Sequence, residues 1–329
     1  MKLDVRVESW PMRSPFRISG KEFTSAEIVV VEARDGAHRG RGEACGVYYT
    51  GDLPDRIVAQ VEALKPALDA LDRDSLQHLL PAGGARNAVD CALWELDAAR
   101  AGKPVWQLAG LDAVRALPTV FTIGIDSVER MANQASGMTH ARAIKVKLAG
   151  DHHDAARVRA VRAARPDAWL GIDANRGFDR AGFLALLPVL HEARVALIEQ
   201  PFAIGREGDM AGIDRSIPVA ADESVQQLAD LSGLVGLFDI VNIKLDKCGG
   251  LTHALAMERE ARRLGFRVMV GNMTGTSWSQ AAGFVLGQRC DFIDLDGPTF
   301  LAGDRDPAVR YVDGMIHCID AVWGLGTAA

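Results

Sequence analysis

From about residue 117 onward the chain repeats one pattern, a short apolar run followed by a stretch whose apolar positions recur at helical spacing. The runs are Leu117–Thr122, Ala143–Leu148, Trp169–Asp173, Val195–Glu199, Val219–Asp222, Ile240–Lys244, Arg267–Val270 and Phe292–Leu295. Near-continuous apolar runs suit parallel strands buried on both faces. Their alternation with helical stretches gives eight βα units at a pitch of roughly 21 to 27 residues, the pattern of an α/β fold. Eight such units predict a closed, TIM-like (β/α)8 barrel.

The first hundred residues follow another rhythm. Alternating positions predict strands at Leu3–Val7, Glu27–Glu32 and Arg39–Glu43, the second rich in β-branched valine. Helical spacing follows, with Ile57, Val61 and Leu64 on one face and later Ala88, Cys91, Ala92 and Leu96 at three- and four-residue steps. The expected organisation is an α+β domain over residues 1–113, the barrel over 114–300, and a segment 301–329 whose strand-like Ile316–Ile319 packs back on the first domain.

Charge changes the picture most at the ends of the barrel runs. Lys145 and Lys147 end the second, Asp173 the third, Glu199 the fourth, Asp222 the fifth and Lys244 the sixth, and Asp294 with Asp296 the eighth. The carboxyl ends of barrel strands open into the active-site mouth, so side chains far apart in sequence converge there. Period-two alternation puts Lys145 with Lys147, and Asp294 with Asp296, on one strand face each, pointing inward.

Three convergent carboxylates, Asp173, Glu199 and Asp222, repel unless a cation joins them, and an all-oxygen donor set selects Mg2+, with Mn2+ as a substitute. The lysines stand on either side of that group. A lysine crowded by a second lysine and a cation loses preference for its charged form, so Lys147 is expected to titrate low enough to act as a base. One lysine on each face of a cation-held substrate suits inversion by 1,1-proton transfer through an enediolate.

These residues carry a resemblance. Lys145-Val146-Lys147, Asp173-Ala174-Asn175, Glu199-Gln200-Pro201, Asp222-Glu223-Ser224 and Asn242-Ile243-Lys244-Leu245-Asp246-Lys247-Cys248-Gly249-Gly250, in this order, are similar to the muconate-lactonizing subgroup of the enolase superfamily, whose sites combine a Lys or His base with Mg2+. Asp294-Leu295-Asp296-Gly297-Pro298 resembles the dipeptide epimerases within it, where such a pair grips the substrate's α-ammonium. Ser14-Pro15-Phe16, Thr50-Gly51-Asp52 and Arg86 to Trp94 extend the resemblance to the amino-terminal domain, which in this superfamily caps the barrel mouth.

The resemblance implies Asp173, Glu199 and Asp222 as metal ligands, Lys147 and Lys244 as the acid/base pair, Lys145 as an electrostatic helper beside the substrate carboxylate, and Asp294 and Asp296 as its ammonium site. It implies a dipeptide substrate, L-Ala-D/L-Glu, with Lys21 near the glutamate side chain and a place in cell-wall peptide reuse. Thr50, the Tyr48-Tyr49 pair and Thr122 are further pocket candidates. One departure stands after the seventh strand: Asn272-Met273-Thr274-Gly275-Thr276-Ser277 occupies the place where many relatives show Cys-Met with an acidic residue soon after, and a reshaped pocket wall is the expectation. Glu223, which alternation turns away from the metal, is not expected to be a ligand. An N-acylamino acid racemase, o-succinylbenzoate synthase or cycloisomerase of the same scaffold is the alternative enzyme, though an N-acyl substrate lacks the ammonium that two aspartates ask for. A metal-binding scaffold without activity has no use for opposed lysines.

Composition narrows the partners. With 37 basic and 43 acidic residues the net charge is −6, and without a basic run a nucleic-acid partner lacks its electrostatic footprint. The alternating Met1–Arg6 opening is unlike a signal peptide, and no stretch approaches the roughly 18 apolar residues of a membrane span. Five widely spaced cysteines without a Cys-x-x-Cys pair speak against a disulfide framework or structural zinc and suit a reducing cytoplasm. Eight histidines form no metal-ligand spacing, and homo-oligomer formation is compatible with this composition.

Overall fold

The structure is a computed structural model that describes residues 1–18, 20–325 and the backbone of 327–328. Its amino-terminal sheet is antiparallel: β1 (Lys2–Ile18) pairs with β2 (Lys21–Asp35), and β2 with β3 (His38–Ala44). β1 extends well beyond the expected Leu3–Val7. Its ladder slips between Pro11 and Phe16 and then resumes, a bulge that lets a bent hairpin continue past a proline. The hairpin end then touches the barrel, where the Ile125 amide donates to the Arg17 carbonyl at 2.9 Å.

β2 is buried on both faces over Ile28–Val31. Ile28 and Val30 join Met12 and Leu301, while Val29, Val31 and Ala33 pack on the helix Gly84–Ala101. That helix lies so close to β3 that a Cβ on Gly42 would stand 2.0 Å from the Ala88 carbonyl oxygen, which requires glycine there. A buried Arg41–Glu95 ion pair at 2.6 Å fastens the same contact.

The chain next forms β4 (Leu117–Pro118), and then the barrel strands β5 (Val120–Ile123), β6 (Ala143–Lys147), β7 (Trp169–Asp173), β8 (Leu197–Glu199), β9 (Val219–Ala221), β10 (Ile240–Lys244), β11 (Arg267–Gly271) and β12 (Phe292–Ile293). These eight pair in parallel in chain order from β5 to β12. At the seam between first and last, Thr119 Oγ1 accepts from the Leu295 amide at 3.0 Å and donates to the Ile293 carbonyl at 3.4 Å. The eight-stranded parallel barrel read from the sequence is therefore present, with some strands shorter than expected and with 3-10 turns in place of α-helices after β8, β9 and β12. The run Leu117–Thr122 breaks at Thr119, whose hydroxyl serves the seam, and the eighth strand stops at Ile293.

The tail makes two returns. β13 (Arg310–Val312) and β14 (Met315–His317) form a hairpin whose second strand pairs with β4. Trp323 Nε1 donates to the Arg41 carbonyl at 2.7 Å, and β15 (Thr327–Ala328) adds to β3. All five cysteines are free, and among the described residues no helix is long and apolar enough to cross a membrane.

Candidate active site

The parallel register aligns the strand ends: Lys147 pairs with Asp173, and Asp173 with Glu199. Asp222 follows β9 by one residue, and Lys244 ends β10. Carboxylate oxygens of Asp173, Glu199 and Asp222 all lie within 4.8 Å of one another, buried inside the mouth. Four lysines surround them. Lys147 Nζ is 2.5 Å from Asp173, Lys244 Nζ 2.7 Å from Asp222, and Lys145 Nζ 2.8 Å from Glu199 and 2.5 Å from Asp294.

The fourth, Lys247, was not singled out in the sequence. It donates to Asp222 Oδ1 at 2.6 Å and to the Asp222 and Asn242 carbonyls at 2.5 and 3.0 Å. Its place in Asn242–Gly250 gave a signal, a second lysine three residues after the first. The chain turns back at once because Gly249 and Gly250 hold φ of 83° and 108°, where a Cβ would strike Arg86 and Asp90. The pair is a tight turn, as its glycines suggest.

Burial works against charge throughout this cluster, and the partners decide each outcome. Burial raises Asp173, but Lys147 and Lys145 outweigh it and bring its carboxyl down to about 2. Asp222 is held well below the usual range by Lys244 and Lys247 against the same burial. Glu199 has less cationic support, and burial with the nearby Asp173 pushes it up to about 7. The four lysines are not treated alike: burial, with Lys244 adding repulsion, lowers Lys247 despite its contact with Asp222. Lys145 is held well above its ordinary value, against burial, by Asp294, Glu199 and Asp173, and Lys244 is raised chiefly by Asp222.

Asp294 and Asp296 are both buried, but not through strand alternation, since β12 ends at Ile293. Asp294 turns to Lys145, and its Oδ1 is buried without a hydrogen-bond partner among the described residues. Asp296 accepts from the Thr122 amide at 2.6 Å, and burial next to Asp294 pushes its carboxyl up to about 7. Thr122 thus enters the site through its backbone, which fixes an aspartate. Asn272, in the divergent segment, donates to the Asp294 carbonyl at 2.5 Å, and Thr276 Oγ1 donates to the capping domain's Glu43 at 2.6 Å.

Lys21 lies above the mouth in a cavity of about 200 Å3 with Phe23, Tyr48 and Met273. Thr50 does not share it. Its hydroxyl closes a turn onto the Val47 carbonyl at 2.9 Å, and it lines a separate cavity with Gln226 and Lys247. Thr50 therefore does not line the Lys21 cavity as expected, because the Tyr48–Thr50 turn places Tyr48 in that cavity and Thr50 in the other.

Residues 127–328 match the family model "Enolase C-terminal domain-like", and residues 1–110 match the amino-terminal domain of the mandelate racemase / muconate lactonizing enzyme family. The chain is 39% identical to the L-Ala-D/L-Glu epimerase of Escherichia coli K12, over 94% of this chain and 97% of that protein. It superposes with a TM-score of 0.95 on an enolase family member from Agrobacterium tumefaciens with homology to dipeptide epimerases, solved with sodium and L-Ala-L-Glu; identity is 39%, over 98% of this chain and 99% of that one. A dipeptide epimerase from Methylococcus capsulatus, solved with Mg and L-Arg-D-Lys, gives a TM-score of 0.88 at 31% identity, covering 100% and 99% of the two chains.

Proposed function

The chain belongs to the mandelate racemase / muconate lactonizing enzyme family of the enolase superfamily, and we propose that within it this protein is a dipeptide epimerase. It inverts the α-carbon of the second residue, with L-Ala-D/L-Glu as the preferred pair. The observation that carries this reading is the placement of Lys147 and Lys244 on opposite sides of the Asp173, Glu199 and Asp222 group, each ammonium against a different carboxylate of it.

That donor set fits a hard divalent cation: all oxygen, buried, and contributed by three successive strands. Asp173, Glu199 and Asp222 would hold Mg2+, or Mn2+ in its place, and the cation would supply charge stabilisation to a substrate carboxylate as its α-proton leaves. Lys147 and Lys244 serve as the proton acceptor on one face and the donor on the other. The accepting lysine acts in its uncharged form, and the contacts of Lys147 with Asp173 and of Lys244 with Asp222 orient the two side chains toward the substrate.

Asp294 Oδ1, a buried acceptor without a donor, suits the substrate's α-ammonium. Lys145 holds Asp294 in place and brings positive charge toward the carboxylate end. Because an N-acyl substrate offers no ammonium there, the dipeptide reading is preferred over the racemase alternative. Lys21 lines the pocket for the second side chain, and recovery of cell-wall peptides in the cytoplasm is the setting that suits this substrate.

The test is direct. The protein with Mg2+ is incubated with L-Ala-L-Glu, and L-Ala-D-Glu is followed by chiral chromatography. Interconversion is expected. No interconversion of this or any other dipeptide epimer pair would overturn the proposal.

A further inference from the structure

Two cations approach the mouth from different domains across one pair of aromatic rings. Lys21, on the capping hairpin, holds its ammonium 4.2 Å from the centre of the Tyr48 ring and 4.9 Å from that of Phe23. It forms no ion pair with any described residue. Arg176, three positions beyond Asp173 on the barrel side, holds its guanidinium 4.9 Å from the Tyr49 ring centre. The two tyrosine rings meet edge to face, centroids 5.3 Å apart and planes at 88°. Gln226 Nε2, which lies 3.2 Å from the Tyr49 hydroxyl, fixes the partition to the barrel.

Arg176 is held with care. Asn175 and Arg176 take φ of 41° and 67° in succession, a conformation that costs free energy in residues with a Cβ and gathers at ligand-binding positions. The Arg176 amide donates to the Gln200 carbonyl at 2.8 Å, which locks the turn. Its Nε lies 3.0 Å from Glu223 Oε1, an ion pair that offsets charge on the inner edge of the guanidinium without making a hydrogen bond. Its terminal nitrogens donate to no described residue, and the side chain keeps 27% exposure. A planar fork with one edge paired and the other open is shaped to take a carboxylate through two parallel hydrogen bonds. The Tyr49 face limits water around it, which strengthens such a pair.

We propose that Arg176 is a specificity-determining residue, whose free guanidinium edge receives the side-chain carboxylate of the dipeptide's second residue, with Lys21 adding charge from across the Tyr48–Tyr49 partition. The assignment rests on the dipeptide-epimerase reading with an acidic second residue and deepens it, naming the residue that reads that side chain. Alternation and motif spacing do not find Arg176, because it follows its strand in a left-handed turn.

The experiment compares kcat/KM for L-Ala-L-Glu and L-Ala-L-Gln, which differ in charge but hardly in shape, for the wild type, Arg176→Gln and Arg176→Glu with Mg2+ bound. The wild type should favour Glu over Gln by tenfold or more. Arg176→Gln should shrink that ratio at least tenfold, mainly through KM, and Arg176→Glu should turn over L-Ala-L-Lys better than L-Ala-L-Glu. A wild type indifferent to Glu against Gln overturns the inference without any variant, as does a folded Arg176→Gln that keeps the wild-type ratio. If no dipeptide is epimerised by the wild type, the underlying reading falls; turnover with an unaltered ratio removes only Arg176 from it.

Discussion

Asn242 Nδ2 donates to Glu199 Oε1 at 2.8 Å, reaching from β10 past β9 to β8. Glu199 Oε2 is left to Lys145, so the carboxylate is held from both sides. Groups that orient a metal-binding carboxylate typically affect affinity 10- to 100-fold. Asn242→Leu, similar in size but without a donor, should therefore weaken Mn2+ binding by roughly tenfold, measured by calorimetric titration of the folded variant. Wild-type affinity would remove Asn242 from this role.

The opposed lysines give an asymmetric expectation. Lys147→Ala and Lys244→Ala should each abolish epimerisation, while each keeps solvent exchange only for the epimer whose α-proton faces the surviving lysine. Chiral chromatography and proton NMR in D2O read the two quantities separately. Epimerisation at the wild-type rate in either variant would contradict two-base chemistry.

The strand ends were the legible part of this site. Trp169–Asp173 and Ile240–Lys244 have the bounds that their apolar runs predicted, because both faces of these strands are buried and the charge that ends each run is also where the mouth opens. The eighth strand was misread at its end: Asp294 and Asp296 look like continued alternation, yet tertiary partners, Lys145 and the Thr122 amide, turn them inward after the strand has stopped. Lys247 and Asn242 were visible only as members of a motif, since what they do depends on Asp222 and Glu199, tens of residues away. β1 was cut short because Pro11 and a run of exposed positions conceal a ladder that resumes after a bulge.

Asp246 links the domains, accepting from the Cys45 and Gly46 amides of the cap at 3.0 Å each. Burial, with Asp52 adding repulsion, pushes its carboxyl from 3.8 up to about 7. Between those values the folded protein binds the proton that the unfolded chain has released, so this residue's contribution to stability falls as pH rises through the window and is level above it. Asp246→Asn keeps the acceptor and cannot ionise. Relative to the variant, the wild type should lose stability on going from pH 5 to pH 7, with a slope of at most about 1.4 kcal/mol per pH unit. Parallel urea-unfolding curves for the two proteins over that range would contradict this titration.

Lys21 tests the cap's part in specificity. Reversing its charge with Lys21→Glu should lower kcat/KM for L-Ala-L-Glu at least tenfold, about 1.4 kcal/mol of transition-state stabilisation, and much less for L-Ala-L-Ala or L-Ala-L-Phe. Equal losses for all three dipeptides would mean that Lys21 supports the loop and does not read the side chain.

Removal and return of a single α-proton is the claim on which the rest depends. L-Ala-L-Glu incubated with the protein and Mg2+ in D2O, then analysed by mass spectrometry, should gain one deuteron at the glutamate α-carbon, and both epimers should carry it. Exhaustive chelation should stop the gain and added Mg2+ should restore it. Epimerisation without deuterium, or full exchange after exhaustive chelation, would contradict it.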